Sequence, residues 1–149
     1  MISAGPSLSE LGVWQVKGGL RFELFLPMET PSNNVIKGMH FHAYKHLRRQ
    51  WRLLVQAGLK GIKPSQPVGQ AFIVVTRACA GGGLDWDNAY GGLKPLLDCL
   101  VVPSPRNPDG LGLIVDDNPR NMPYPPFVRQ EAAKPGQGRT CLQIYEING

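Results

Sequence analysis

Cysteine and acidic residues are scarce in this sequence, and it has no long apolar segment. The three cysteines, Cys79, Cys99 and Cys141, are odd in number and lie within apolar runs without the spacing of a metal site, so we expect reduced thiols in the core. No apolar stretch is long enough to span a membrane, and the first residues lack the basic segment and apolar run of a signal peptide. We therefore expect a cytoplasmic protein with no membrane partner.

The length and composition predict one globular domain. The chain has 149 residues, of which 42% are hydrophobic and 18% are charged, and we find no internal repeat or low-complexity tract. We assign residues 1–149 to a single domain with one core. Glycine, proline and serine in residues 1–19 indicate an N-terminal extension, with room for a short strand around Val13 to Val16.

Positive charge dominates the sequence. The 16 lysines and arginines outnumber the 11 acidic residues and give a net charge of +5. Five of the 11 acidic residues are aspartates in three short segments, namely Asp85, Asp87, Asp98, Asp116 and Asp117. The remainder is therefore strongly basic, which favours nucleic acid over a small neutral substrate. A basic surface that only confers solubility is the alternative.

Hydrophobic periodicity predicts an α/β or α+β fold with a mixed sheet of about four strands against two main helices. Alternation marks a strand at Leu20–Leu26, and a β-branched run marks a central strand within Val68–Ala78 that is buried on both faces. Helical spacing covers His40–Ala57, with Gly58 as its stop. The remaining predictions are a loop up to Lys37, a helix from Leu93–Pro95 to about Val102, and an antiparallel hairpin of Phe127–Ala133 and Arg139–Ile147.

Asp85 and Asp87 are the first candidate site residues. They are two residues apart, so in an extended segment both carboxylates would leave the same face and share one or two hard divalent ions. Lys94 adds a positive charge nearby, and this combination suits hydrolysis of a phosphodiester. Aspartates are also common in turns and at helix N-caps, which is the alternative for this segment.

Basic and amide side chains form the second candidate group. Four cations lie at helical spacings of three and four, which predicts a stripe that contacts DNA or is simply solvated: Lys45, Arg48, Arg49 and Arg52. The amides of Asn33 and Asn34 either satisfy a turn or reach a phosphate oxygen. Asp98, four residues after Lys94 on the predicted helix, either pairs with that lysine or is solvated.

Three segments occur in an order that matches a known family. They are Leu84-Asp85-Trp86-Asp87-Asn88, then Leu93-Lys94-Pro95-Leu96-Leu97-Asp98-Cys99-Leu100-Val101, then Ile114-Val115-Asp116-Asp117. Together they resemble the core of the RusA family of Holliday junction resolvases, which are bacterial and phage endonucleases. Leu26-Pro27 followed by Pro31-Ser32-Asn33-Asn34 looks like the family segment after its first strand. The resemblance covers roughly residues 20–147.

The resemblance implies roles for individual residues. Asp85, Asp87 and Asp117 match the catalytic, metal-binding aspartates, and Lys94 matches the active-site lysine. Asp98 and Asp116 match acidic positions of supporting role, and Asn33 and Asn34 lie in a loop that the family places near DNA. The chain differs from the best-known members in a longer spacer before Lys94, in the loop before Asp116, and in lacking an arginine run before Asp85.

The resemblance also implies an activity. We expect a Mg²⁺-dependent endonuclease, with Mn²⁺ as a substitute, that resolves four-way DNA junctions by paired nicks in recombination and repair. A junction with two-fold symmetry that is cut twice implies a homodimer. A nuclease for other branched DNA and a module that binds junctions without cutting are the alternatives.

Overall fold

The fold, seen in a computed structural model, is a four-stranded mixed sheet with helices packed against it. The structure describes residues 18–62, 64 and 66–147. Its elements are β1 (Gly18–Leu26), α1 (Asn33–Lys37), α2 (Phe41–Gly58), β2 (Ala71–Cys79), α3 (Trp86–Gly91), α4 (Lys94–Leu100), β3 (Phe127–Ala132) and β4 (Arg139–Ile147). The predicted fold class is confirmed. The predicted strand at Val13 to Val16 lies outside the described residues, and Gly18 and Gly19, which were assigned to the extension, begin β1.

The order of strands in the sheet is β1-β4-β2-β3. β4 is antiparallel to both β1 and β2, whereas β3 is parallel to β2. The predicted hairpin of the last two strands is therefore wrong, because β2 lies between them. An inner strand must form hydrogen bonds along both of its edges, and β3 and β4 satisfy one edge each. Residues 133–138 cross the end of β2 to join them.

The core lies between the sheet and the two longer helices. Every residue of β2 is buried, as predicted for a central strand. One core cluster joins Ile73 and Val75 of β2 to Trp51 of α2 and Leu96 of α4. Phe72 and Val74, the alternate residues of β2, belong to a second cluster with Tyr145. Within the described residues, no helix has both the length and the apolar character needed to cross a membrane.

The two longer helices differ from their predicted bounds at the ends. α2 includes Gly58, and its N-cap is His40, whose Nδ1 accepts a hydrogen bond from the His42 amide at 3.3 Å. α4 has a proline in its first turn, where the missing amide costs little, and it ends at Leu100, before the predicted Val102. The Leu100 carbonyl accepts the Leu113 amide at 2.8 Å, which holds the segment before Asp116 against the end of α4.

Candidate functional site

Asp85 and Asp87 lie at the start of the short helix α3, so the prediction of an extended segment is wrong. Asp85 is the N-cap, and its Oδ1 accepts hydrogen bonds from the Asn88 side chain at 2.7 Å and the Asn88 amide at 3.4 Å. Aspartate is a favoured N-cap residue, which explains the helical start. Asp87 lies in the first turn, and its exposed carboxylate forms no hydrogen bond or ion pair with any described residue.

The segment Pro31–Asn34 packs directly on α3. The amide of Asn34 donates to Asn88 Oδ1 at 3.0 Å, so Asn88 links this segment to Asp85. This segment was predicted as a loop, but Ser32 caps α1 by accepting the Val35 amide, so a helix begins at Asn33. A helix of five residues is too short to show a periodic pattern.

Two glycines of the spacer before Lys94 permit this close approach. A Cβ on Gly92 would overlap the carbonyl oxygen of Pro31, and one on Gly91 would overlap the side chain of Asn33. The half-buried Asn33 side chain therefore fills space against α3, whereas the Asn34 side chain is exposed. The two glycines thus permit the contact between α1 and α3.

Arg77 of β2 anchors the segments that lead into this contact. It is only 4% exposed and donates from Nη2 to the Thr30 carbonyl at 2.7 Å and from Nη1 to Gln130 Oε1 at 2.7 Å. Gln130 in turn exchanges two hydrogen bonds of 2.8 Å with the backbone of Leu84. Thr30 precedes Pro31 and Leu84 precedes Asp85. The buried guanidinium of Arg77 therefore fixes the two chain segments that lead into the site, one directly and one through Gln130.

Lys94 and Asp98 face each other on α4, as one of the two predicted alternatives required. Lys94 Nζ lies 3.8 Å from Asp98 Oδ1, and the lysine side chain is largely exposed. The other carboxylate oxygen of Asp98 accepts a hydrogen bond of 2.6 Å from Tyr44 Oη of α2. Burial and this hydrogen bond raise the pKa of the Tyr44 phenol, so Tyr44 stays a donor. Asp98 is thereby held in place beside the lysine.

Asp116 and Asp117 follow a bend in the chain and differ in their partners. Asp116 Oδ1 accepts the Asp117 amide at 2.8 Å, and its Oδ2 accepts the Asn118 side chain at 3.1 Å. Partial desolvation, followed by the adjacent Asp116 and then Asp98, raises the pKa of the Asp117 carboxyl. The negative charges of Asp116 and Asp98 each contribute less to this rise than desolvation does, and the same charges favour a cation beside Asp117.

The oxygen donors of Asp85 and Asp87 suit a hard divalent ion such as Mg²⁺. Among the described residues, no three His, Cys, Asp or Glu side chains are grouped closely enough to hold a metal ion. The three carboxylates of Asp85, Asp87 and Asp117 therefore do not form a ready-made site in this structure. The structure brings Asn34 to Asn88 and Asp85, and it brings Lys94 to Asp98, but it does not join Asp117 to the first group.

The predicted basic stripe on α2 is only partly present. Arg48 is buried, and its Nε donates to Asp109 Oδ2 at 2.8 Å, so the prediction that it contributes to an exposed stripe is wrong. The reason is that Arg48 lies on the face that packs towards α4, where its charge needs a partner. Lys45 and Arg52 are half-buried and Arg49 is exposed.

Three residues that support the site or the helix beside it were not predicted from the sequence. Arg77 and Asp109 carry no motif. Each contacts residues distant in the sequence, namely Thr30 and Gln130 for Arg77 and Arg48 for Asp109, and such contacts leave no periodic signal. Tyr44 lies within the segment that helical spacing predicted, and a half-buried tyrosine usually needs a hydrogen-bond partner. The N-cap preference of aspartate, which was the alternative given for Asp85 and Asp87, is confirmed at Asp85.

Comparison with models of known protein families gave no match for this chain. Comparison with curated protein sequences gave none either.

Proposed function

We propose that this protein is a divalent-metal-dependent endonuclease of the RusA type that resolves four-way DNA junctions. The contact between α1 and α3 carries the proposal. Two segments that were matched to the family separately, Pro31–Asn34 and Asp85–Asn88, meet through the hydrogen bonds of Asn88. The basic charge of the chain outside the aspartates adds attraction for DNA.

The donor set supports Mg²⁺, with Mn²⁺ as a substitute, as the cofactor. Asp85 and Asp87 would hold the ion, with Asp117 as a third carboxylate. When bound, the ion would supply an activated water and neutralise charge on the phosphodiester. Both Asp87 and Asp117 are exposed, so their carboxylates are accessible to an ion.

Lys94 would act on the substrate directly. Its ammonium is exposed and lies 3.8 Å from Asp98 Oδ1, and Tyr44 fixes Asp98 with a short hydrogen bond. An ammonium positioned in advance stabilises charge that develops on a non-bridging phosphate oxygen, because no reorganisation is needed when the charge appears. Asp98 therefore acts as a positioning residue, and Asn34 is a candidate contact to a backbone phosphate.

Junction symmetry supports a homodimer. A four-way junction is resolved by two nicks on opposed strands, so a symmetric dimer offers two sites at once. A single site would have to release and rebind between the two cuts. We propose an edge of the sheet for the interface, because Lys94 is the only exposed residue of α4 and is assigned to the reaction site.

The decisive assay is nicking of a labelled four-way junction with Mg²⁺, with Mn²⁺ and with EDTA. We expect paired nicks with either metal and none with EDTA. Replication-fork, flap and nicked-duplex substrates test the proposed preference for junctions. Cutting of flaps in preference to junctions would assign a different branched-DNA nuclease, and tight junction binding without nicks would assign a binding module.

Neutralising single carboxylates tests the site. Asp85→Asn, Asp87→Asn and Asp117→Asn should abolish nicking while retaining or strengthening binding, because removing negative charge favours attraction to phosphate. Asp116→Asn is the matched control, since both of its oxygens already accept local hydrogen bonds. Full activity in any of the first three would contradict the assignment, and an inactive Asp116→Asn with an active Asp117→Asn would shift it by one residue.

A further inference from the structure

A cavity of about 690 Å³ opens beside Lys94, between α2, α4 and the loop after α4. This volume lies within the range of about 300–1,000 Å³ that is typical of small-molecule sites. Its lining includes Phe41 and Lys45 from α2, Lys94 and Asp98 from α4, and Arg106 and Asn107 from the loop. The cavity therefore shares Lys94 and Asp98 with the proposed reaction site.

The charge of the lining selects an anion. Lys45 and Arg106 form no ion pair with any described residue. Lys94 has only a long contact of 3.8 Å with Asp98. Arg48, which also lines the cavity, is neutralised by Asp109 and adds no net charge. Lys45 and Arg106 are therefore unpaired and Lys94 is weakly paired. The single carboxylate that opposes them, Asp98, already contacts Tyr44 and Lys94.

An exposed aromatic ring stands at the edge of the same cavity. Phe41 is 63% exposed, although burying a phenylalanine normally stabilises a fold. Lys45 Nζ lies over the ring, 4.5 Å from its centre, and covers part of it, but most of the Phe41 side chain remains accessible. Accessible aromatic rings beside cations are the arrangement by which proteins bind single-stranded nucleic acid, because bases stack on the ring while cations contact the phosphates.

We infer that this cavity binds one unpaired nucleotide next to the phosphodiester at Lys94. The base stacks on Phe41, and Lys45 and Arg106 contact its phosphate oxygens. The nucleotide is unpaired because a base inside a duplex has both faces covered by its neighbours, whereas a branch point can release one. This inference rests on the proposed function for the choice of DNA as the polymer and for the phosphodiester at Lys94.

Asn107, which lines the cavity, fixes the loop after α4. Asn107 Nδ2 donates to the carbonyl oxygen of Asp98 at 2.7 Å, which fixes the loop to α4. Asn107 Oδ1 is buried and accepts no hydrogen bond from any described residue. A small opening of the loop would give this acceptor a donor from the ligand, such as an amino group on a base.

The test uses binding alone, so it does not depend on cleavage. Two oligonucleotides of about eight nucleotides are compared in EDTA by fluorescence anisotropy, one of thymidines and one of abasic nucleotides. The wild-type protein should bind the thymidine strand roughly tenfold more tightly than the abasic strand. Phe41→Ala should bring this ratio close to one, and Phe41→Trp should restore it.

The matched control is Phe25→Ala, because Phe25 is 53% exposed on β1 and lies outside the cavity. It should leave the ratio unchanged. Circular dichroism checks that each variant is folded. An unchanged ratio in Phe41→Ala, an equal loss in Phe25→Ala, or no binding of single strands by the wild type would each overturn the inference.

The phosphate contacts have a separate readout. Arg106→Ala should lower the slope of log affinity against log salt by about 0.7, the value for one contact to a single strand. Lys134→Ala removes an exposed charge elsewhere and should leave the slope unchanged. Equal changes in the two variants would assign the effect to overall charge and contradict the pocket. If Phe41→Ala loses base discrimination but the wild type does not nick junctions, the nucleotide pocket is supported and the nuclease proposal is rejected. If the wild type nicks junctions but does not discriminate between the two oligonucleotides, the nuclease proposal is supported and the pocket is rejected.

Discussion

Replacing Arg48 with methionine removes one half of a buried ion pair and isolates the other half. The Arg48 and Asp109 side chains are only 8% and 12% exposed, and the Nε to Oδ2 distance is 2.8 Å. Removing one partner of such a pair typically costs about 3–5 kcal/mol of unfolding free energy, because the remaining charge stays buried. That is a large part of the roughly 5–15 kcal/mol that stabilises an ordinary domain.

The neighbouring residue provides the comparison. Arg49 lies on the same helix but is exposed, so Arg49→Met should change stability by less than about 0.5 kcal/mol. Urea unfolding followed by circular dichroism measures both values. For a chain of this length, the loss in Arg48→Met corresponds to a fall in melting temperature of roughly 6–20 °C.

A double variant separates the lost pair from the isolated charge. Arg48→Met with Asp109→Leu replaces both charges by apolar groups, which is often neutral or stabilising for a buried pair. We expect it to be more stable than Arg48→Met alone. Equal and small effects of Arg48→Met and Arg49→Met would refute the reasoning from burial. A double variant that is less stable than Arg48→Met alone would refute it as well.

Four further predictions follow from the packing and charge. Gly92→Ala should destabilise the protein by about 1–3 kcal/mol and reduce nicking, because its Cβ would overlap the Pro31 carbonyl, whereas Gly81→Ala meets open space and should be neutral in urea unfolding. Burial raises the pKa of the Cys99 thiol to about 12, so a disulfide reagent at pH 8 should label none of the three buried cysteines in the folded protein and all three in urea; rapid labelling of folded protein would contradict the core. Arg49→Ala with Arg52→Ala should lower the salt slope of duplex binding by about 0.9 per lost phosphate contact, and an unchanged slope would assign both to solvent. Light scattering should give about 33 kDa, twice the chain mass of 16.3 kDa, and a monomer that makes paired nicks would defeat the symmetry argument.

The sequence predicted the elements better than their arrangement. The alternation in Leu20–Leu26 and the β-branched run of β2 revealed strands, because burial on one or both faces constrains residue type directly. The pairing of β3 and β4 was wrong, since a short glycine-containing connection fits a hairpin as well as a crossing over the end of β2. Which edge each strand takes depends on contacts between distant residues, and no local pattern records them.

The candidate site was predictable in its residues and less so in its geometry. Helical spacing predicted that Asp98 either pairs with Lys94 or is solvated, and the structure shows the first, with Nζ 3.8 Å from Oδ1, because positions four apart on a helix face each other. Asp85 and Asp87 were expected in an extended segment, but a helix of six residues offers too few turns for a periodic signal. Arg48 fitted an exposed stripe by spacing, and only the position of Asp109 in the fold shows why it is buried.

The insertion of β4 between β1 and β2 sets the order in which the protein can assemble during translation. β1 and β2 leave the ribosome early, yet neither pairs with the other, and both form their antiparallel hydrogen bonds with β4 at residues 139–147. Until that last described strand emerges, two apolar strands have open edges that can pair with other chains. Pairing across more than 100 residues is also slow to form. The nascent chain should therefore need a chaperone more than its small size suggests, and a chain that stops before residue 139 would lose an inner strand of the sheet.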